Sequence, residues 1–451
     1  MALKSNLVIR PYQQEMIDKF QNVSHVLCAD DMGLGKTVEA IVLDQLRRES
    51  STGPTLVVAP LSGVVDSWVK HFHMFTDLKI ARIDPKDRSK LLKQKADVYV
   101  IHWDGLRLMW EELAKVKWLH VIADEAHRAK NRKTKQTKAL KKLKPKYKTA
   151  LTGTPMDNSP AEIWSICNWL YPQDYMFKSY WRFFHNFVDF IELDAANGHK
   201  YKKIVGTKNE DKFRELIDSF FIRRDKHTVL KDLPEKIYTE HVVELSPQER
   251  RIYDEMKREM LSWIGEHEDE PVAAPVVIAQ LARLQQFALG NVRIVNGEIK
   301  LSKPSTKLSA LLELLSDMDE DKQVVIFSKS KQMINLVYEE LKDESVLLTG
   351  DTPQQFRDGY ITQFQEGKAR YMLATIRTGG TGLNLQNADT VIFLDREWSP
   401  GENRQAEDRL HRSGQTNVVQ VIDIVAADTI DQGKKQKLVQ KWSWIKNMIG
   451  D

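Results

Sequence analysis

The chain has 451 residues, 42% hydrophobic and 29% charged, with 67 basic against 63 acidic side chains for a formal net charge of +4. That length predicts two lobes rather than one core, and the composition excludes a disordered or fibrous chain. No apolar run approaches the span of a bilayer and residues 1–13 hold no signal-type stretch, so the expectation is an intracellular protein with no membrane partner.

Two cysteines, Cys28 and Cys167, stand among apolar residues. They are too few for a disulfide framework or a four-ligand zinc site and read as buried, reduced thiols. Because the overall charge is nearly balanced, any polyanion has to be met by a local patch.

Taken in chain order, short apolar strands alternate with helical patterns, which predicts α/β lobes with parallel sheets flanked by helices. The first series is Ser24 to Ala29, Thr55 to Ala59, Asp97 to Trp103, Leu119 to Ala123 and Lys148 to Leu151. Directly after its first strand comes Asp30-Asp31-Met32-Gly33-Leu34-Gly35-Lys36-Thr37. A strand, a glycine-rich turn and a helix start place backbone N–H groups and the positive end of a helix dipole around a phosphate. Lys36 is expected to reach the outer phosphates of a nucleotide and Thr37 to serve a magnesium ion. The general form of this loop has Gly where this chain has Asp30.

The fourth strand delivers Asp124-Glu125-Ala126-His127 to its carboxyl end, where ligands bind in open α/β sheets. Asp124 is suited to hold magnesium through water, and Glu125 to orient and deprotonate an attacking water. From Arg128 to Lys148 follow eleven basic residues and no acidic one. Among them Lys133, Lys138, Lys141 and Lys142 are expected to meet nucleic-acid phosphates, against the plainer reading of a solvated helix face.

The stretch from Trp164 to Phe190 holds eleven aromatics. It reads as the packed core of a helical insertion rather than as stacking surface for bases, since little charge is interleaved with it. Asn197 to Asp211 and Glu266 to Glu270 read as solvated connectors.

A second strand series runs Gln323 to Ser328, Ser345 to Thr349, Arg370 to Thr375, Thr390 to Leu394 and Val418 to Val425. After it, Ser399-Pro400-Gly401-Glu402 has the cap, the proline and the acidic residue of a helix start, and Gly414 supplies a stop. A helix from about Pro400 to Ser413 would put Gln405, Arg409 and Arg412 on one face as a phosphate reader. Surface pairing of those arginines with Glu402, Glu407 or Asp408 would contribute less than ~1 kcal/mol. As arginine fingers they would contribute about 4 to 7 kcal/mol to the transition state.

These residues together resemble the Swi/Snf-type ATPases of the second helicase superfamily, and the resemblance runs through nearly the whole chain in motif order. Arg10-Pro11-Tyr12-Gln13 is similar to the family's adenine-recognising entry motif. Asp31-Met32-Gly33-Leu34-Gly35-Lys36-Thr37 is similar to its phosphate loop, a form that accepts Asp at position 30. Asp124 to Arg128 resembles its second motif, and Leu151-Thr152-Gly153-Thr154-Pro155 the element that couples nucleotide state to nucleic acid through Thr152 and Thr154. Phe221-Ile222-Arg223-Arg224 resembles part of the segment joining the lobes. Thr375 to Leu385, which includes Gly382, resembles the glycine-rich loop of the second lobe, and Gln405 to Gln415 the last motif.

The resemblance implies two RecA-like lobes, residues 1–230 with a helical insertion near 158–220 and residues 231–451 with one near 245–300. It implies ATP and Mg as cofactors, with Arg10, Gln13, the phosphate loop, Gly382 and Gln405 on the nucleotide. Lys36, Asp124, Glu125, Arg409 and Arg412 would then be catalytic. The implied partner is DNA, double-stranded and read without sequence preference, tracked by a monomer whose spare architecture suits a bacterial or phage-infected cytoplasm rather than a nucleus. A strand-separating DNA or RNA helicase is the nearer alternative and a non-catalytic clamp the distant one.

Overall fold

The computed structural model describes the chain except residues 1–2, 5–7, 61, 85, 87–94, 195–199, 267–273, 297, 380–382 and 451, and except the side chains of 62–63, 261–266, 274–278, 294 and 354. The chain forms two compact units. The first takes the residues up to Asp189, Ile204–Lys231 and the chain from Lys441 onward; the second takes Phe190–Lys203 and Asp232–Gln440. The first unit thus closes one residue beyond the expected boundary and also reclaims the chain's end. The last helix, Ile430–Ile449, places Ile445, Met448 and Ile449 in the first unit's core, where its apolar residues find partners.

The first unit is built on a seven-stranded sheet. Its strands are β1 (His25–Cys28), β2 (Thr55–Ala59), β3 (Ile80–Arg82), β4 (Val98–His102), β5 (His120–Asp124), β6 (Tyr147–Leu151) and, after the separate pair β7 (Val188–Asp194) and β8 (Lys200–Thr207), β9 (Phe221–Ile222). The order is β3-β4-β2-β5-β6-β1-β9, with every neighbouring pair parallel. A parallel sheet is covered on both faces, so its strands read as nearly continuous apolar runs.

The cores show the period of two directly. Leu27, Leu56, Val58, Ile101, Val121 and Ala123 enter one cluster, while their neighbours Val26, Val57, Val100 and Ile122 enter the other. Strands β3 and β9 are two or three residues long, too short to stand out as apolar runs, and escaped the sequence reading.

The second unit's sheet orders β10 (Lys236–Val243), β17 (Val419–Ala426), β16 (Thr390–Phe393), β13 (Val324–Ser328), β15 (Tyr371–Thr375) and β14 (Ser345–Leu348), again all parallel. Edge strand β10 was not anticipated; its sequence carries Lys, Thr, Glu and His between apolar residues, and most of it is exposed. The insertion in this unit combines the helices Pro247–Glu266 and Ala274–Phe287 with an antiparallel hairpin, β11 (Asn291–Val295) and β12 (Glu298–Ser302), so it is not wholly helical.

The expected connector from Asn197 to Asp211 is largely strand β8, because Lys200–Thr207 pairs with β7; its first residues lie outside the described part. Only Glu266 of the acidic connector is described, and it ends a helix. The aromatic segment is packed core: Trp164, Trp169, Phe177, Phe183, Phe184 and Phe187 are buried, with Tyr175 and Trp181 left exposed. Both cysteines are buried and free. Among the described residues no helix is long and apolar enough to cross a membrane.

Candidate nucleotide site

The register brings the first unit's motifs to one sheet edge. Cys28 of β1 and Asp124 of β5 both lie level with Leu151 of β6, so three strands release their loops side by side at the carboxyl end. From β1 comes the phosphate loop, from β5 the acidic pair, and from β6 Thr152, whose N–H still bonds to the Cys28 carbonyl at 3.0 Å.

In the phosphate loop Gly33 and Gly35 have φ of +85° and +80°, the left-handed region that glycine enters without cost. A Cβ on Gly35 would come 2.5 Å from Gln13 Nε2 and would have to displace the amide that bonds the loop. Gly35 caps the helix Lys36–Ser50, whose opening N–H groups have no acceptor within the helix. Lys36 Nζ donates to the carbonyls of Asp30 at 2.6 Å and Asp31 at 3.0 Å, curling back over its own loop. Asp31 and Leu34 are buried, Met32 and Thr37 half-buried.

Gln13 supports this loop from beneath. Its Nε2 donates to the carbonyls of Leu34 at 3.1 Å and Gly35 at 3.3 Å, while its Oε1 accepts the Arg10 N–H at 3.0 Å. The Tyr12 hydroxyl also donates to the Leu34 carbonyl at 3.0 Å. The entry motif is therefore bonded to the phosphate loop itself, and Arg10 stands exposed beside it.

Asp124 is gripped at three points. Its Oδ2 accepts Trp68 Nε1 at 2.9 Å, its Oδ1 accepts the Glu125 N–H at 2.9 Å, and its backbone carbonyl accepts Trp103 Nε1 at 2.9 Å. Loss of solvent and the neighbouring Glu125 charge raise its pKa above the usual carboxylate range, while the indole bond and the charge of Lys36 work the other way. Lys36 and Asp124 thus feel one another across the sheet edge. Trp68 and Trp103 were not singled out in the sequence, where Trp103 stands only as the last residue of an expected strand and an apolar residue such as Trp68 reads as core. Their one polar atom is what distinguishes them here.

Glu125 adopts φ +48°, a left-handed conformation uncommon for a residue with a side chain and concentrated at functional sites. Its Oε2 lies 3.2 Å from His127 Nδ1, which in turn lies 3.2 Å from Thr152 Oγ1, and that oxygen accepts the Thr154 N–H at 3.1 Å. The acidic pair and the two threonines expected to couple nucleotide state to nucleic acid thus stand in successive contact, with His127 Nδ1 close to both the Glu125 carboxylate and the Thr152 hydroxyl.

These residues fit the groups they were assigned. A loop with two left-handed glycines and a helix start suits a polyphosphate. One carboxylate with one hydroxyl, from Asp124 and Thr37, suits a Mg²⁺ ion that keeps most of its water.

In the second unit the prediction needs correction. The helix begins as expected, with the Ser399 hydroxyl accepting the Glu402 N–H at 3.0 Å and Pro400 in its first position. It ends at Glu407 rather than Ser413. Gln405 is helical, but Arg409 and Arg412 sit on the turns that follow and share no helix face with it.

Buried charge is the reason. Lys236 Nζ holds Glu407 and Asp408, both at 2.9 Å, and Arg396 bonds Glu407 at 2.5 Å and Asp423 at 2.6 Å. Burial alone would lift the Glu407 carboxyl, but Lys236 and Arg396 hold it down at about 2. His411 Nε2 then meets the Pro234 carbonyl at 2.6 Å, and the Arg409 carbonyl accepts the Leu385 N–H at 3.0 Å. These tertiary partners take over where helical bonds would have continued. Half-buried Arg412 donates to the Leu383 carbonyl at 3.3 Å. Gly382 lies outside the described residues.

The basic stretch divides by direction. Lys133, Lys138 and Lys142 are exposed around the helix Lys135–Lys142. Lys141 turns inward, donating to Asn168 Oδ1 at 2.7 Å and lying 4.7 Å from the Trp164 ring; burial and then Arg132 push its pKa down to about 8. Lys148 is buried against the Trp169 and Leu170 carbonyls.

Comparison with known proteins agrees with this architecture. The SNF2-related domain matches residues 12–306 and the helicase conserved C-terminal domain residues 306–414. An uncharacterized ATP-dependent helicase of Mycoplasma genitalium, MG018, is 30% identical over 98% of this chain and 43% of its own length. A Bacillus subtilis protein provisionally named ATP-dependent helicase/translocase YwqA is 31% identical over 92% of this chain and 47% of its own. The chain therefore spans less than half the length of these relatives. The Pyrococcus furiosus Hef helicase domain shares the fold at 16% identity, with a TM-score of 0.57 over 97% of this chain and 99% of that one. With a family model matched across more than half of its residues, this chain belongs to the SNF2-related family.

Proposed function

We propose that the chain is an ATP-driven motor that moves along double-stranded DNA without reading its sequence. The observation that carries this reading is the single edge at which the phosphate loop, Asp124–Glu125 and the Thr152–Thr154 path meet, since a loop that cradles phosphates is useful to a motor only if its state reaches the track.

In this reading Gln13 and Tyr12 hold the loop, and Lys36 leaves the carbonyls of Asp30 and Asp31 for the outer phosphates. Asp124 and Thr37 hold Mg²⁺, which supplies charge neutralisation at the phosphates. Glu125 orients the attacking water and accepts its proton, and its loss of that proton-free state is relayed through His127 to Thr152 and Thr154. The resemblance assigns Arg409 and Arg412 to charge on the transferred phosphoryl group. Lys133, Lys138 and Lys142 supply phosphate contacts to DNA, a set from which Lys141 drops out because it is engaged within the unit.

The test is steady-state ATP hydrolysis alone and with duplex DNA, single-stranded DNA or RNA, using Lys36→Ala as the blank. Strong stimulation by duplex DNA is the expected result. Stimulation by single strands or RNA alone would move the assignment to a strand-separating helicase, and no hydrolysis in any condition would overturn it.

A further inference from the structure

The phosphate loop of this chain departs from the general pattern at Asp30, and that carboxylate is fully buried. Its Oδ2 accepts Arg224 Nε at 3.0 Å and also Arg224 Nη2. The same guanidinium bonds Glu39 Oε1 at 2.6 Å, on the helix that follows the loop, and the Tyr12 carbonyl, on the helix that carries Gln13. The backbone reinforces the arrangement: the Ala29 N–H bonds the Ile222 carbonyl at 2.7 Å and the Asp31 N–H the Arg224 carbonyl at 3.1 Å, so the β1–β9 ladder continues into the loop.

Asp30 thus has two tasks. Its carbonyl receives Lys36, and its carboxylate is fixed by Arg224. We propose that Arg224 is a positioning residue for the nucleotide site, matched to Asp30: it fixes the first residue of the phosphate loop and thereby sets where Lys36 and the loop's N–H groups stand.

Only a planar fork reaches this set of partners. Lysine offers a point charge and cannot bond Asp30, Glu39 and the Tyr12 carbonyl in these three directions at once. Glycine at position 30 in the general pattern has no carboxylate to neutralise and needs no such arginine. Removing Arg224 alone strands two buried carboxylates, Asp30 and Glu39, within reach of one another, whereas removing Asp30 as well leaves only Glu39, whose carboxyl burial pushes up to about 7 and which can take a proton.

The inference rests on the nucleotide reading of the site. It is tested by a mutant cycle of R224M, D30G and the double variant, with R224K as the conservative change. The dissociation constant for a fluorescent ADP with Mg²⁺ is measured well below each melting midpoint. R224M is expected to weaken binding by about 10-fold or more and R224K by less, while D30G/R224M returns to within about threefold of the parent chain.

Folded R224M that binds as the parent does would overturn the proposal, as would D30G worsening R224M. Should R224M fail to fold, the double variant decides: folding with near-parental affinity supports the pairing, and failure to fold contradicts it. A parent chain that binds no nucleotide would count against the function proposed above rather than this pairing. The same cycle read as melting midpoints then decides, D30G raising the midpoint of R224M if the pair is matched and lowering it if not.

Discussion

The phosphate-loop edge of the first unit and the arginine turns of the second were both inferred from short motifs, yet only one has the local structure that its motif predicts. At the first edge the determinants are local. Two left-handed glycines, a helix start and strand ends at one level follow from a few consecutive residues and the sheet order. Around Arg409 the determinants lie outside the helix: Lys236 and Pro234 are far along the chain, Arg396 follows β16 and Asp423 lies on β17, and together they end a helix whose own sequence would have let it run on. Spacing alone is a reliable guide where backbone conformation makes the site, and an unreliable one where buried charges do.

The largest effect expected is at the arginines themselves. Arg409→Ala or Arg412→Ala should lower turnover by ~10³ to 10⁵ with nucleotide binding retained, as fingers do from a turn as well as from a helix. Loss of less than tenfold in both, measured by single-turnover hydrolysis, would leave the second region without the role proposed for it.

Next comes the charge cluster that shapes those turns. Lys236→Met strands Glu407 and Asp408, both buried, and should cost about 3 to 5 kcal/mol in denaturant unfolding of the second unit. An unchanged midpoint would mean that something other than these ion pairs ends the helix.

For the first region, pH offers a test of the scaffold beneath the site. His120 opens β5 fully buried, bonded to Asp44 at 2.9 Å, and burial followed by Arg47 pushes its pKa down to about 4. The unfolded chain, with an ordinary pKa near 6.5, takes up the proton first. The stability contributed by the neutral ring is therefore complete above pH 6.5 and is lost as pH falls toward 4. His120→Asn lacks this titration, so the stability gap between parent and variant should narrow by roughly 3 kcal/mol across that window. A gap independent of pH would show that the ring does not titrate as placed.

The smallest effect sought is at Trp68. Trp68→Phe keeps the ring and removes the N–H that holds Asp124, so the Mg²⁺ concentration needed for nucleotide binding should rise about 10-fold. Trp103→Phe, which loses a bond to a backbone carbonyl instead, should move it less.

Much of this molecule is legible in its residues. Continuous apolar runs such as Thr55–Ala59 and Val324–Ser328 announce buried parallel strands, and the glycines of the phosphate loop announce its turn. What escaped did so for physical reasons. Strand β9 holds two residues and exists because it continues alongside β1. Strand β10 is an exposed edge with mixed polarity. Trp68 looks like any apolar helix residue until its indole nitrogen is seen to face Asp124, and Lys141 looks like any member of a basic run until the Trp164 ring and Asn168 are found against it. Patterns along the chain show which face is apolar but not which polar atom meets which.

Whether this edge hydrolyses ATP with Glu125 activating the water is decided by Glu125→Gln. Nucleotide affinity is expected to stay close to that of the parent chain, with hydrolysis slowed by ~10² to 10⁴. Hydrolysis at the parental rate would contradict that role.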